Sequence, residues 1–185
     1  MLPGIGERTA LRLALYLLEQ KKERIFSLAE SLVEIANNVA ECDICCNLTA
    51  FSRICSICQT KNRDQSIICV VSTIQDLMAV EASNGFKGYY HVLHGVMEPI
   101  NGIGPDKLRI RKFLDRLKID NFIEVILATP SSIEGEATAI YLKDQIGKKE
   151  LLKITRIACG IPVGGDLQYA DRLSLSRALS LRQIY

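Results

Sequence analysis

The feature that most constrains this chain is a doubled cysteine knuckle. Cys42-Asp43-Ile44-Cys45 and Cys55-Ser56-Ile57-Cys58 are two C-x2-C turns separated by nine residues. Each turn aims two sulfurs at one point. Together they give a closed four-sulfur set, which suits a structural zinc ion; a catalytic zinc keeps an open position. The competing reading is a group of buried free cysteines, which are common core residues, but two correctly spaced pairs argue against it. Cys46 leaves one alternative open, because it could replace Cys45 in the first knuckle. The chain has seven cysteines, an odd count, so a complete disulfide framework would leave one over. Five lie between Cys42 and Cys58, while Cys69 and Cys159 sit alone in apolar runs. Such a cluster reads as metal ligands in a reducing compartment. Cys46→Ser is therefore expected to keep the metal, and Cys45→Ser to lose it.

The remaining composition bounds the fold. With 185 residues, 48% apolar and 24% charged, the chain is one or two globular domains, not a disordered polymer. A chain of this length buries about 70% of its unfolded surface. No apolar run approaches the roughly 20 residues that span a bilayer. The opening Met1-Leu2-Pro3-Gly4-Ile5-Gly6 lacks the basic and apolar regions of a secretory signal, so a cytoplasmic location is expected. Net charge is only +2, so any affinity for nucleic acid must come from local patches.

Periodicity predicts helices over 7–22 and 26–41, the first with Leu11, Ala14, Leu15 and Leu18 on one stripe. Arg8, Arg12 and Glu19 lie off that stripe. Ser27, with Glu30 three residues on, is a candidate cap for the second helix. The segment 42–58 has no clean period, and Lys61-Asn62-Arg63-Asp64 is a polar joint. Beyond it, strands are expected at 67–71, 89–93, 123–128 and 154–158. Helices are expected at 74–83, 106–118, 134–147 and 171–181. Alternating strands and helices predict an α/β fold with a mostly parallel sheet covered on both faces. The expected domains are 1–41 (helical), 42–64 (zinc finger), 65–159 (α/β) and 160–185 (Gly-rich motif and helix).

Several segments offer chemistry. Gly4-Ile5-Gly6 opens a helix, where backbone N–H groups can face a phosphate. Arg8 and Arg12, four apart, can reach the same phosphate backbone; an ordinary turn with solvated arginines is an equal reading. Glu134 and Glu136 follow a strand at the start of a helix, where sites in open α/β sheets lie. They could hold a metal, but the favoured reading from spacing is complementation of the helix dipole. The Gly-rich run from Cys159 to Asp166 lacks the G-K-[ST] ending of a phosphate-binding loop. His91 and His94 read as structural hydrogen-bonding groups. Lys107, Arg109, Arg111, Lys112, Arg116 and Lys118 form a basic segment, read first as a solvated helix face and second as a nucleic-acid path.

Taken in order, these motifs resemble the RecR family of bacterial recombination mediators. Leu2-Pro3-Gly4-Ile5-Gly6 is similar to its helix-hairpin-helix signature, and the two knuckles, continued by Arg63-Asp64, to its four-cysteine finger. Ile68-Cys69-Val70-Val71, Tyr90-His91-Val92-Leu93-His94-Gly95 and Asn101-Gly102-Ile103-Gly104-Pro105 resemble its Toprim domain. So do Glu134-Gly135-Glu136-Ala137-Thr138 and Arg156-Ile157-Ala158, running into Gly160-Ile161-Pro162-Val163-Gly164-Gly165. The resemblance covers essentially the whole chain.

The resemblance implies a non-enzymatic DNA-binding repair protein that forms a homo-oligomer, a dimer or tetrameric ring clamped on DNA. It implies work with RecO and RecF in loading recombinase at gaps. The family's DNA contacts fall on Arg8 and Arg12, its zinc ligands on Cys42, Cys45, Cys55 and Cys58, and its acidic pair toward RecO on Glu134 and Glu136. Three departures stand out. The family carries a further stretch before the Leu-Pro-Gly, which implies a hairpin without its first helix here. The spacing between the knuckles looks one residue longer than usual, with Cys46 where Gly is common. Ser72 stands where the family shows Glu after the first Toprim strand. The alternatives are a Toprim-type metal-dependent nuclease or primase-like enzyme and a plain zinc-dependent interaction module.

Overall fold

The computed structural model describes residues 2–147, 152–158, 160–161 and 164–182. Cys159 and Pro162-Val163 of the Gly-rich run lie outside the described residues. Two helices come first, α1 (Glu7–Leu18) and α2 (Lys22–Asn38). The first is shorter than expected and the second starts earlier. Ser27 is not a cap: α2 begins after Lys21 with no side-chain cap, and Ser27 lies inside the helix, where its carbonyl accepts from Ser31 Oγ at 2.9 Å. Neither helix buries a residue.

The finger follows as an antiparallel pair, β1 (Val39–Glu41) and β2 (Leu48–Ala50), and one short helix, α3 (Ser56–Gln59). The α/β body then alternates β3 (Asp64–Val71), α4 (Ile74–Ala82), β4 (Gly88–Val92), α5 (Ile110–Ile119), β5 (Glu124–Ala128), α6 (Ile133–Ile146) and β6 (Lys153–Arg156). A last helix, α7 (Arg172–Ser180), closes the described chain. The four body strands run in the order β4-β3-β5-β6, all parallel. Among the described residues no helix is long and apolar enough to cross a membrane.

The sheet is two-faced because its side chains alternate. Ile68 and Val70 of β3 and Val125 and Leu127 of β5 point to one face, where Phe113 and Leu117 of α5 and Leu142 of α6 cover them. Cys69, Val71, Tyr90 and Val92 point to the other, where Leu77 of α4 packs. Cys46 of the finger belongs to this second core. The finger thus covers part of one sheet face and is joined to the body through shared apolar burial.

Local chemistry sets the helix starts. Thr73 and Asp76 form a reciprocal capping box at α4, worth about 1 kcal/mol. Ser132 caps α6 by accepting from Gly135 N at 3.1 Å. The expected helix over 106–118 is split: Pro105–Lys107 is one 3-10 turn and α5 starts at Ile110. Leu108 is buried and extended, and Arg109 N donates to Leu93 O, which ties the segment to the end of β4.

Candidate functional site

The four knuckle sulfurs converge. The Sγ atoms of Cys42, Cys45, Cys55 and Cys58 all lie within 4.8 Å of one another, and Cys45 and Cys55 are 3.5 Å apart. A tetrahedral ion with metal–sulfur bonds of about 2.3 Å needs sulfurs about 3.8 Å apart, so the donor set fits a metal ion. Three of the four cysteines are buried, and Cys55 N donates to Cys42 Sγ at 3.3 Å. The Cys55 thiol is held well below its usual range by the hydrogen bond from Cys45, whose own thiol is driven up by the same bond.

Cys46 is outside this set. Its backbone is left-handed, with φ of 61°, the conformation that lets the first knuckle turn back and that explains why glycine suits the position. Its fully buried side chain lies in the second core, and its thiol is raised chiefly by burial. Three polar contacts lock the finger to the body here. Val92 N donates to Cys45 O at 2.9 Å, and His94 Nε2 donates to Cys46 O at 2.6 Å. Arg109 Nε donates to Glu41 at 2.8 Å, and this guanidinium holds the Glu41 carboxyl below its usual range. His91 is buried, donates from Nε2 to Arg109 O at 3.0 Å, and is pushed down to about 4 by burial. The two histidines are thus structural.

At the N-terminus, Gly4 has φ of 78° in a turn closed by Ile5 N to Leu2 O at 3.2 Å. Gly6 is the N-cap of α1 and supplies no side chain, so the first-turn N–H groups point outward. Arg8 and Arg12 are exposed on α1. They share a groove of about 400 Å³ with Leu11, Leu15, Tyr16 and Glu19, closer to the apolar stripe than the spacing suggested. The basic segment 107–118 is partly neutralised. Arg109 pairs with Glu41, Arg116 with Asp120 and Lys118 with Asp115. Arg116 is also buried over the Tyr89 and Phe122 rings.

The carboxyl ends of the strands carry a different cluster. Ser72 follows β3, is 2% exposed, and its hydroxyl has no protein partner. Thr129, after β5, donates to Gly135 O at 2.7 Å, and a Cβ on Gly135 would fall 2.1 Å from Pro130 O. Glycine is therefore required for this close approach. Glu134 is exposed, and its carboxyl is lowered by its own backbone N–H and by Ser132. Glu136 is half-buried and met by Arg156 at 3.2 Å and Arg177 at 3.4 Å. Arg156 stands in the Arg156-Ile157-Ala158 motif without an assigned role, and Arg177 stands in none. Only the β5–β6 register and the return of α7 bring them to Glu136.

Sequence comparisons match this architecture. Residues 66–158 match the family model of the Toprim domain, residues 1–36 the RecR helix-hairpin-helix, and residues 160–183 the RecR C-terminal region. The chain is 50% identical over 181 residues to "Recombination protein RecR" of Desulfatibacillum aliphaticivorans, covering 98% of this chain and 90% of that protein. It is 48% identical over 182 residues to the protein of the same name from Myxococcus xanthus (strain DK1622), covering 98% and 91%.

Proposed function

The chain belongs to the RecR family of recombination proteins, and on that premise we propose that it is a non-enzymatic mediator of recombinational DNA repair. In this reading a structural zinc staples the finger through Cys42, Cys45, Cys55 and Cys58. Copies of the chain assemble into a dimer or ring that clamps DNA in the cytoplasm. RecO and RecF act with it to load recombinase at gaps, with Glu134 and Glu136 facing RecO.

The observation that carries this reading is the N-terminal arm. Leu11, Leu15, Tyr16, Phe26, Leu28 and Leu32 are all exposed, so α1 and α2 offer an apolar face that a second copy can cover. Arg8 and Arg12 lie on the same arm, in the first turns of α1, whose opening N–H groups follow the Gly6 cap. A chain with two arginine contacts binds DNA weakly, at about 10⁻⁴ to 10⁻⁶ M, and without reading sequence. Assembly multiplies the contacts and raises avidity by roughly 10² to 10⁴.

The non-enzymatic part rests on the strand ends. Two-metal phosphoryl chemistry needs carboxylates on both sides of the reacting phosphate. Ser72, Pro130 and Ser132 stand where Toprim enzymes carry acids, and Glu136 is occupied by two guanidinium groups.

The test is binding to a gapped duplex at several salt concentrations. Arg8→Ala with Arg12→Ala is expected to weaken binding to every sequence alike and to flatten the salt dependence, with metal content and assembly intact. Unchanged affinity and slope would move the DNA site elsewhere. Magnesium-dependent nicking lost in Glu134→Gln would overturn the non-enzymatic reading.

A further inference from the structure

Glu136 holds two arginines of unequal standing. Arg156 is built in: besides Glu136 it donates to the carbonyls of Leu127 and Pro130 and to Thr129 Oγ1. Arg177 pairs with Glu136 alone among the described residues. It comes from α7, which buries no residue and leaves Leu173, Leu179 and Leu181 exposed. A cavity of about 410 Å³ remains against α7, lined by Ile157, Leu173, Ser174 and Arg177. A helix with one ion pair among the described residues, partly exposed, and only half-buried packing at Leu175 and Ala178 is held weakly and opens at low cost.

Glu134, two residues away and so on another side of α6, is in no ion pair among the described residues, and Ile133 next to it is 85% exposed. Two carboxylates repel a phosphate, so this surface does not suit nucleic acid. Arg177 shows the chemistry that it does suit: a guanidinium 3.4 Å from the Glu136 oxygen that Arg156 also holds. A planar guanidinium can donate to a carboxylate through two nitrogens, which a lysine cannot do.

We propose that Glu136 is a receptor for an arginine on a protein partner, and that Arg177 of α7 occupies it in the isolated chain. Partner docking and the closed position of α7 then compete for one carboxylate. The affinity seen by the partner is reduced by the fraction of chains in which α7 is closed. This rests on the reading that the two glutamates face RecO, and adds that the chain regulates its own acidic surface.

The experiment uses the full metal-loaded chain with purified RecO as the probe. Calorimetry reads the affinity, and amide exchange reads α7. Removal of a partly exposed pair sets the scale, so Arg177→Gln is expected to tighten RecO binding by up to about fivefold. Arg177→Lys, which keeps the charge but loses the planar fork, should fall between the parent and Arg177→Gln. In the parent, α7 amides should exchange faster when RecO is added. Metal content and light scattering report that the variants are folded. If Arg177→Gln binds no tighter, or α7 becomes more protected with RecO, the competition is wrong. Glu134→Gln tests the underlying reading separately, because Glu134 pairs with no arginine among the described residues. If Glu134→Gln and Glu136→Gln both bind RecO as the parent does, the acidic surface is not the RecO site, and the proposal falls with it.

Discussion

The N-terminal arm and the α/β body treat their apolar residues in opposite ways. Helices α1 and α2 bury no residue, whereas β3 alone buries four of its eight. The body builds its core within one chain, from two sheet faces and a finger that contributes Cys46 to one of them, although Ile100, Ile119, Ile133 and Ile140 stay at its surface. The arm presents an equally periodic stripe to solvent. The difference teaches where this chain ends as a folding unit. The body and finger satisfy themselves, and the arm requires something else to cover it, proposed here to be another copy.

The largest expected effect sharpens the self-sufficient side. Cys55→Ser should abolish metal binding, because binding energy at such a site is folding energy, about 10 to 16 kcal/mol in isolated zinc-finger peptides. Amide exchange should show segment 42–58 unprotected. The loss should spread to Val92, which donates to Cys45 O, and leave α1 and α2 unchanged. Protection retained at Val92 would mean that the finger and body are independent.

Next comes a matched pair of truncations. Phe113 is fully buried, so Phe113→Ala should cost about 3 to 5 kcal/mol in urea unfolding. Leu15 is 53% exposed, so Leu15→Ala should change the stability of a dissociated chain by less than about 0.5 kcal/mol. Equal costs would erase the contrast between the regions.

A third expectation concerns pH. His91 is pushed down to about 4 by burial, from an ordinary 6.5. Above pH 6.5 it is neutral in both states, and the stability is fully present. As pH falls the unfolded chain takes the proton first, and stability is lost through the window from about 6.5 to 4. Between pH 7 and pH 5 the loss should be about 2 kcal/mol. His91→Gln should remove that slope from a series of urea midpoints; an unchanged slope would place the titration elsewhere.

A smaller effect is expected at Cys46. Cys46→Ser should keep the metal but lower stability by about 1 to 2 kcal/mol, because a hydroxyl would be buried in an apolar core. Metal analysis and a melting curve on one sample check both halves.

The contrast also separates what was legible from what was not. The knuckle cysteines, the parallel strands and the two long helices were readable because spacing and periodicity are local. Ser27 was misread as a cap because a Ser followed by Glu three residues on also occurs inside helices, where only the preceding turn decides. The role of Cys46 was hidden because its partners, Tyr90 and Val92, are set by the sheet. The basic segment 107–118 looked free because Glu41, the partner of Arg109, lies 68 residues away in sequence. Arg156 and Arg177 reach Glu136 only through strand register and chain return. Apolar exposure of the arm was invisible for the same reason: a leucine stripe looks alike whether or not its partner is in the chain.

The most direct test of the central contrast is the solution mass of the metal-loaded chain by light scattering at micromolar concentration. It should be compared with a variant carrying Leu15→Glu and Leu32→Glu. The account predicts that the parent exceeds the single-chain mass of 20.6 kDa. The variant should fall to that mass with its metal content and sheet core intact. A monomeric parent, or a variant that stays fully assembled, would contradict it.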